Sequence, residues 1–156
     1  MSRNLPVLIA IVAVIGLLSV YFNSLSEQEE QFTISYKDRE AVRAGRILYA
    51  DNCASCHGKR LEGEPNWRSR NADGTLPAPP HTEEGHTWHH PDFALFQTVK
   101  YGGQSDSSIG FISNMPAYDE LLTDKEIHDI LAFIKSNWPA NIQAGHDAMN
   151  KRIMEQ

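Results

Sequence analysis

Cys53-Ala54-Ser55-Cys56-His57 gathers both cysteines of the chain and one histidine into five residues. In a C-x-x-C-H arrangement the two thiols can form thioether bonds to the vinyl groups of a haem, and the adjacent imidazole becomes an axial ligand of its iron. The two-residue spacing lets both sulfurs reach one edge of the porphyrin, and the histidine then turns under the metal. No cysteine is left for a disulfide. Three other chemistries compete. A thiol–disulfide pair normally sits in a βαβ pattern, which this helix- and loop-like sequence lacks. A structural zinc site needs a second ligand pair at set spacing, and no second C-x-x-C follows. The pattern could also arise by chance in a helix. One covalently attached haem c, held by Cys53 and Cys56 with His57 on the iron, is the reading the rest of the chain supports.

The sixth iron position needs a ligand or a deliberate vacancy. Met115, followed by Pro116, is the candidate. A thioether there favours ferrous iron and suits electron transfer, and proline stiffens the strap that carries it. The other methionines, Met1, Met149 and Met154, lie ahead of an apolar segment or in a polar C-terminal stretch. The competing role for Met115 is core filler.

A second group of candidates lies between. Pro77, Ala78, Pro79 and Pro80 form a stiff strap suited to the proximal edge of a haem. Arg68, Arg70, Trp67 and Trp88 have donors that propionates would accept from. His81, His86, His89 and His90 crowd within ten residues, and imidazoles at that density can bind copper or zinc. Glu83 and Glu84 could add to such a cage. The preferred reading is a hydrogen-bonded, metal-free loop.

These residues need elements to hold them. A first helix is expected from about Asp38 to Asn52, with Asp38 as N-cap and Ala41, Val42, Gly45, Leu48 and Tyr49 on one face. Glycine weakens a helix, so Gly45 on that face points to a close crossing. Pro91 to Tyr101 reads as another helix, offering Phe93, Leu95, Phe96 and Val99 to a haem pocket and stopped by Gly102-Gly103. Thr123-Asp124-Lys125-Glu126 is a capping box. Behind it Ile127, Ile130, Leu131, Ile134 and Trp138 make an apolar stripe that Pro139 ends. His128 is expected as a partly exposed residue of that helix. Residues 58–90 show no periodicity. A loop that long is unusual in a compact domain, unless a large apolar macrocycle supplies the missing core.

The series Gly45, Tyr49, Cys53, Cys56, His57, Gly58, then Met115-Pro116, then a helix ending Phe133-Ile134-Lys135-Ser136-Asn137-Trp138-Pro139 resembles a class I cytochrome c over roughly residues 38–139. The stretch from Gly74 to His81 and on through Gly85 to His90 also resembles a membrane-anchored bacterial subgroup. The resemblance implies an all-α domain wrapped around one haem, with His57 and Met115 as axial ligands.

Leu5 to Phe22 is an uncharged run of 18 residues. At about 1.5 Å per residue it would span roughly 27 Å, close to a hydrocarbon core of about 30 Å. Arg3 precedes it and Glu27, Glu29 and Glu30 follow, which orients the rest of the chain outward. A cleaved signal peptide competes, but such apolar regions usually run about 7–15 residues. The expected layout is an anchor over 1–22, a tether over 23–35, a cytochrome c domain over 36–140 and a polar tail over 141–156. The chain carries 14 basic and 20 acidic side chains, net −6. Removing 1–22 takes away only Arg3 and leaves −7, which argues against nucleic acid or anionic lipid binding through the general surface. The expected function is one-electron transfer between redox protein partners on the periplasmic face of the inner membrane, without catalysis by the chain itself. The alternatives are a haem enzyme or sensor with an open distal site, and a copper-handling protein that uses the histidine loop.

Overall fold

Asp38 opens the first helix, α1 (Arg39–Asn52), with its carboxylate accepting from Glu40 N at 2.8 Å. The computed structural model describes residues 33–104 and 112–155, with Gly16, Leu18 and Ser19. Met1–Thr33 and Ile34–Gln156 form separate units. The anchor expected over 1–22 lies almost wholly outside the described residues, as does most of the tether. Among the described residues no helix is long and apolar enough to cross a membrane.

After α1 come α2 (Ala54–His57), a 3-10 turn at Thr87–His89, α3 (Asp92–Tyr101), α4 (Asp124–Ser136) and α5 (Ala140–Met154). The described residues contain no strand, only an isolated bridge between Thr75 and Ile112. The architecture is therefore helical, as the sequence implied.

The central packing is α1 across α4. Ala41, Gly45 and Tyr49 are the buried residues of α1. A Cβ built on Gly45 would overlap the Asp129 carbonyl and fall 2.9 Å from Ile130 N, so only glycine lets the two backbones meet. On the other side Ile127, Ile130, Leu131, Ile134 and Trp138 are all buried. The Thr123 capping box forms in both directions, satisfying donors that would otherwise be orphaned at the start of α4. Helix α3 packs Leu95, Phe96 and Val99 inward but leaves Phe93 half exposed. Gly102, at φ 85°, turns the chain out of it.

The residues from 141 onward, expected as a polar tail, are helical. Pro139 ends the stripe of α4 and then takes the N-cap position of α5. Apart from Ile142, which packs against the core, the helix docks mainly through polar groups, which a hydropathy pattern does not reveal. His146 is buried, Asn150 Oδ1 accepts from Asp92 N at 2.8 Å, and Gln143 Nε2 donates to Lys135 O at the end of α4.

Candidate haem-attachment site

Cys53 is at once the C-cap of α1 and the N-cap of α2, so the first helix delivers the C-x-x-C-H turn directly. Its amide donates to Tyr49 O at 2.9 Å and its carbonyl accepts from His57 N at 2.9 Å. The buried Tyr49 side chain closes the turn from beneath, donating to Gly58 O at 2.8 Å. Gly58 sits at φ 80°, and a Cβ there would strike the Glu62 side chain. Both thiols are free, Cys53 partly buried and Cys56 exposed. Burial, with a smaller contribution from the neighbouring Cys56, pushes the Cys53 thiol up to about 11. Redox-active C-x-x-C thiols are shifted the other way. Among the described residues no group of three or more His, Cys, Asp or Glu is arranged to hold a metal ion. Neither the thiol–disulfide nor the zinc reading gains support.

His57 is buried, and its Nδ1–H donates to Pro79 O at 2.9 Å. With Nδ1 committed to Pro79, Nε2 is the ring nitrogen that would face an iron. A hydrogen-bond partner on the far nitrogen is the usual way proteins fix a ligating histidine's tautomer and ring direction. Burial holds the imidazole below its ordinary pKa against the opposing pull of the Pro79 carbonyl and Glu64, so it is neutral and able to ligate. The proline strap that supplies Pro79 is clamped to the residues after the haem motif. Glu64 N donates to Ala78 O at 2.9 Å, Ala78 N to Glu64 Oε2 at 2.6 Å, and His81 N to Leu61 O at 2.8 Å. A Cβ on Gly63 would lie 2.5 Å from Pro80 N. The donor set therefore fits a covalently attached haem.

The strap that carries Met115 is tied to the same place. Met115 is partly buried against the core, its N–H donates to Ser113 Oγ at 3.2 Å and its carbonyl accepts from Gly103 N at 3.2 Å. A Cβ on Gly102 would stand 3.1 Å from Met115 O, so the strap lies flat on the end of α3. Tyr118 OH then donates to Asn52 O at 2.7 Å. That bond joins the methionine strap to the last residue of α1, one position before Cys53.

The remaining candidates brace the loop. Arg68 donates to Glu84 O at 3.1 Å and lies over the Trp67 ring at 4.1 Å. Arg70 donates to Gly74 O at 2.9 Å, and Trp88 Nε1 to Glu83 O at 3.2 Å. The four loop histidines do not converge. His81 turns inward, stacked on His57 with ring centroids 4.1 Å apart, while His86 neighbours His89 at 4.8 Å and His90 at 4.9 Å. His128 is partly exposed and stacks on Phe96 at 4.9 Å.

Sequence reasoning missed three features: the Pro79 carbonyl as partner of His57, the Tyr118–Asn52 tie, and a buried charge cluster. In that cluster Lys135 Nζ lies 2.7 Å from Asp147 Oδ1 and 3.7 Å from Asp92 Oδ1, and Tyr36 OH donates to Asp147 Oδ2 at 2.9 Å. The available signal was a lysine set beside the apolar stripe of α4.

The cytochrome c family model matches residues 42–138. Subunit FixP of the cbb3-type cytochrome c oxidase of Azorhizobium caulinodans is 27% identical over 92 residues, 59% of this chain and 28% of FixP. The chain thus spans less than a third of that relative. The crystal structure of cytochrome cL from Methylophaga aminisulfidivorans aligns with TM-score 0.50 and 25% identity, covering 72% of this chain and 64% of that one. Together with the pinned Cys53–His57 turn, the match over most of the helical unit makes this chain a class I member of the cytochrome c family, which carries haem c.

Proposed function

We propose that this chain carries single electrons between redox protein partners, through a haem attached at Cys53 and Cys56 with His57 and Met115 on the iron. The observation that carries the reading is the pairing of two locked straps. Pro79 fixes His57 on one side, and the Tyr118–Asn52 bond holds the Met115 strap beside the haem turn. The haem supplies a one-electron ferric–ferrous couple when bound. The protein fixes both ligands before any electron arrives, so little has to reorganise when the charge changes. It also buries the proximal imidazole away from water.

The run from Leu5 to Phe22 would anchor the domain outside the cytoplasmic membrane, which fits covalent haem attachment there. Likeness to a subunit of an oxidase favours a respiratory acceptor. Contacts between such partners are small, below about 1,200 Å², and an anchor compensates by raising their local concentration.

The test is the ferric spectrum with the reduction potential. The wild-type protein is expected to show the weak near-infrared sulfur-to-iron charge-transfer band. Met115→Ala loses it, and the potential falls on the order of 0.1 V, within the ~0.8 V that axial ligands span. If the band and potential survive in the variant, Met115 is not the ligand and the open-site enzyme reading takes over.

A further inference from the structure

The basic groove beside α1 is the first feature that electron transfer at the haem does not absorb. Arg39, Arg43 and Arg46 recur at i, i+4 and i+7 and share one exposed stripe of α1, with Lys37 just ahead. Among the described residues none of the three arginines forms an ion pair. Like charges at i, i+4 destabilise a helix, so the stripe is held at a cost in a chain whose net charge is −6. Beside it runs a groove of about 590 Å³, reaching the end of α4, with Ile47 and Phe133 among its lining residues. Ile47 is 60% exposed.

We propose that this groove docks an acidic segment of a partner protein, its carboxylates against Lys37, Arg39, Arg43 and Arg46 and an apolar side chain against Ile47 and Phe133. The proposal rests on the electron-transfer reading, since it supplies that reading with a partner surface. Arg46 stands seven residues ahead of Cys53, about 10 Å along the helix, so a partner held here leaves the haem end of α1 uncovered. A concave, apolar-floored site suits a protruding segment better than a flat bilayer, which the acidic remainder of the surface would also repel.

Nuclear magnetic resonance of the reduced, full-length holo-protein with a short synthetic peptide of glutamates around a central leucine tests this. Amide shifts are expected over Tyr36–Ile47 and Phe133–Asn137, with affinity at least tenfold weaker in the Arg39→Gln/Arg43→Gln/Arg46→Gln variant. Shifts confined to Cys53–Gly58 and Met115, or no binding, would overturn the proposal. Phosphatidylglycerol vesicles that engage the stripe in preference to the peptide would assign it to a membrane and also overturn it. The near-infrared band and potential of the same variant stay at wild-type values, so failure of the docking site is separable from failure of the electron-transfer reading.

A different observation carries a second inference. His81 stacks on His57 at 4.1 Å with the ring planes 21° apart. It is fixed from three directions: its Nδ1 shares a 2.6 Å hydrogen bond with Thr87 Oγ1, its N–H donates to Leu61 O, and its carbonyl accepts from Trp138 Nε1 at 2.8 Å. Trp138 in turn packs edge-on against His146 of α5 at 5.0 Å. We infer that His81 is a positioning residue that sets the ring plane of His57, with Trp138 and α5 holding it in place. This rests on His57 as ligand, which the wild-type ferric electron paramagnetic resonance spectrum tests by itself. His81→Leu should change the g-anisotropy of the ferric spectrum and shift the potential, while His81→Phe, which keeps a flat ring, restores both toward wild type. A His81→Leu protein that is less stable but spectroscopically unchanged would reduce His81 to packing and refute the inference.

Discussion

Gly45→Ala isolates the crossing on which the haem turn depends. In an exposed helix the change would stabilise by about 1 kcal/mol, because alanine is the better helix former. Here the new methyl would overlap the Asp129 carbonyl and stand 2.9 Å from Ile130 N. Restoring an ordinary contact of about 3.5 Å requires α1 and α4 to part by roughly 1–2 Å. The obstacle is backbone, and it is flanked by Ile127, Ile130 and Leu131, each no more than 2% exposed, so no flexible side chain can give way. Overpacking of this kind costs about 1–3 kcal/mol. The upper end, less the propensity gain, leaves a net loss of about 2 kcal/mol. For a domain of this size that lowers Tm by roughly 6–10 °C, measured by far-ultraviolet circular dichroism on ferric holo-protein at neutral pH. Ala50→Gly, exposed on the same helix, is the control and should lose only about 1 kcal/mol. Gly45→Leu should lose more than ~3 kcal/mol or fail to mature. A Gly45→Ala protein as stable as wild type would refute the crossing as a tight constraint.

Lys135→Met leaves Asp92, 2% exposed, without its buried counter-charge, and should cost about 3–5 kcal/mol in urea unfolding; adding Asp92→Asn should recover part of that loss. Burial depresses the pKa of His146, helped by Lys135 and opposed by the His90 carbonyl, Asp92 and Asp147, and burial depresses that of His128. Both are neutral in the folded state when the unfolded chain begins to protonate near pH 6.5, so stability should be level above that pH and fall as pH drops below it. His146→Gln should flatten that acid limb in denaturant titrations between pH 7 and 5. Mild copper loading should leave no stoichiometric copper on the holo-protein; one tightly held copper per haem, lost on replacing His86 and His89 together, would instead favour the copper-handling reading.

What the sequence made legible was whatever repeats along one element. The α1 face, the capping box at Thr123 and the α4 stripe are periodic, and the structure puts Gly45 against the Asp129 backbone as a glycine on a buried face required. The C-x-x-C-H turn was legible because five consecutive residues carry the chemistry. The remainder depends on contacts across long stretches of chain and on backbone groups that every residue type shares. Pro79 O has no side-chain signature, and the Tyr118–Asn52 bond spans 66 positions. Helix α5 was hidden because, apart from Ile142, it docks mainly by hydrogen bonds and charge, so its composition looks like a solvated tail.

The long stretch from 58 to 90 follows from the same distinction. Regular structure normally satisfies a chain's own amides, and a segment without it must find partners elsewhere. Here many of those partners lie within the loop. Gly63 N donates to His57 O, His81 N to Leu61 O, Asn71 N to Thr75 O and Gly85 N to Thr82 O. Leu61 even accepts a left-handed φ of 67° while buried, which places its carbonyl on His81. The loop is thus fixed residue by residue rather than by repetition. Its rigidity concentrates around the two groups that touch His57, the Pro79 carbonyl and the His81 ring. Under the proposed ligation, His57 held this way is preorganised by covalent geometry and by buried hydrogen bonds at once, so substitutions at Pro79 or His81 should register in the potential even where the helices remain intact.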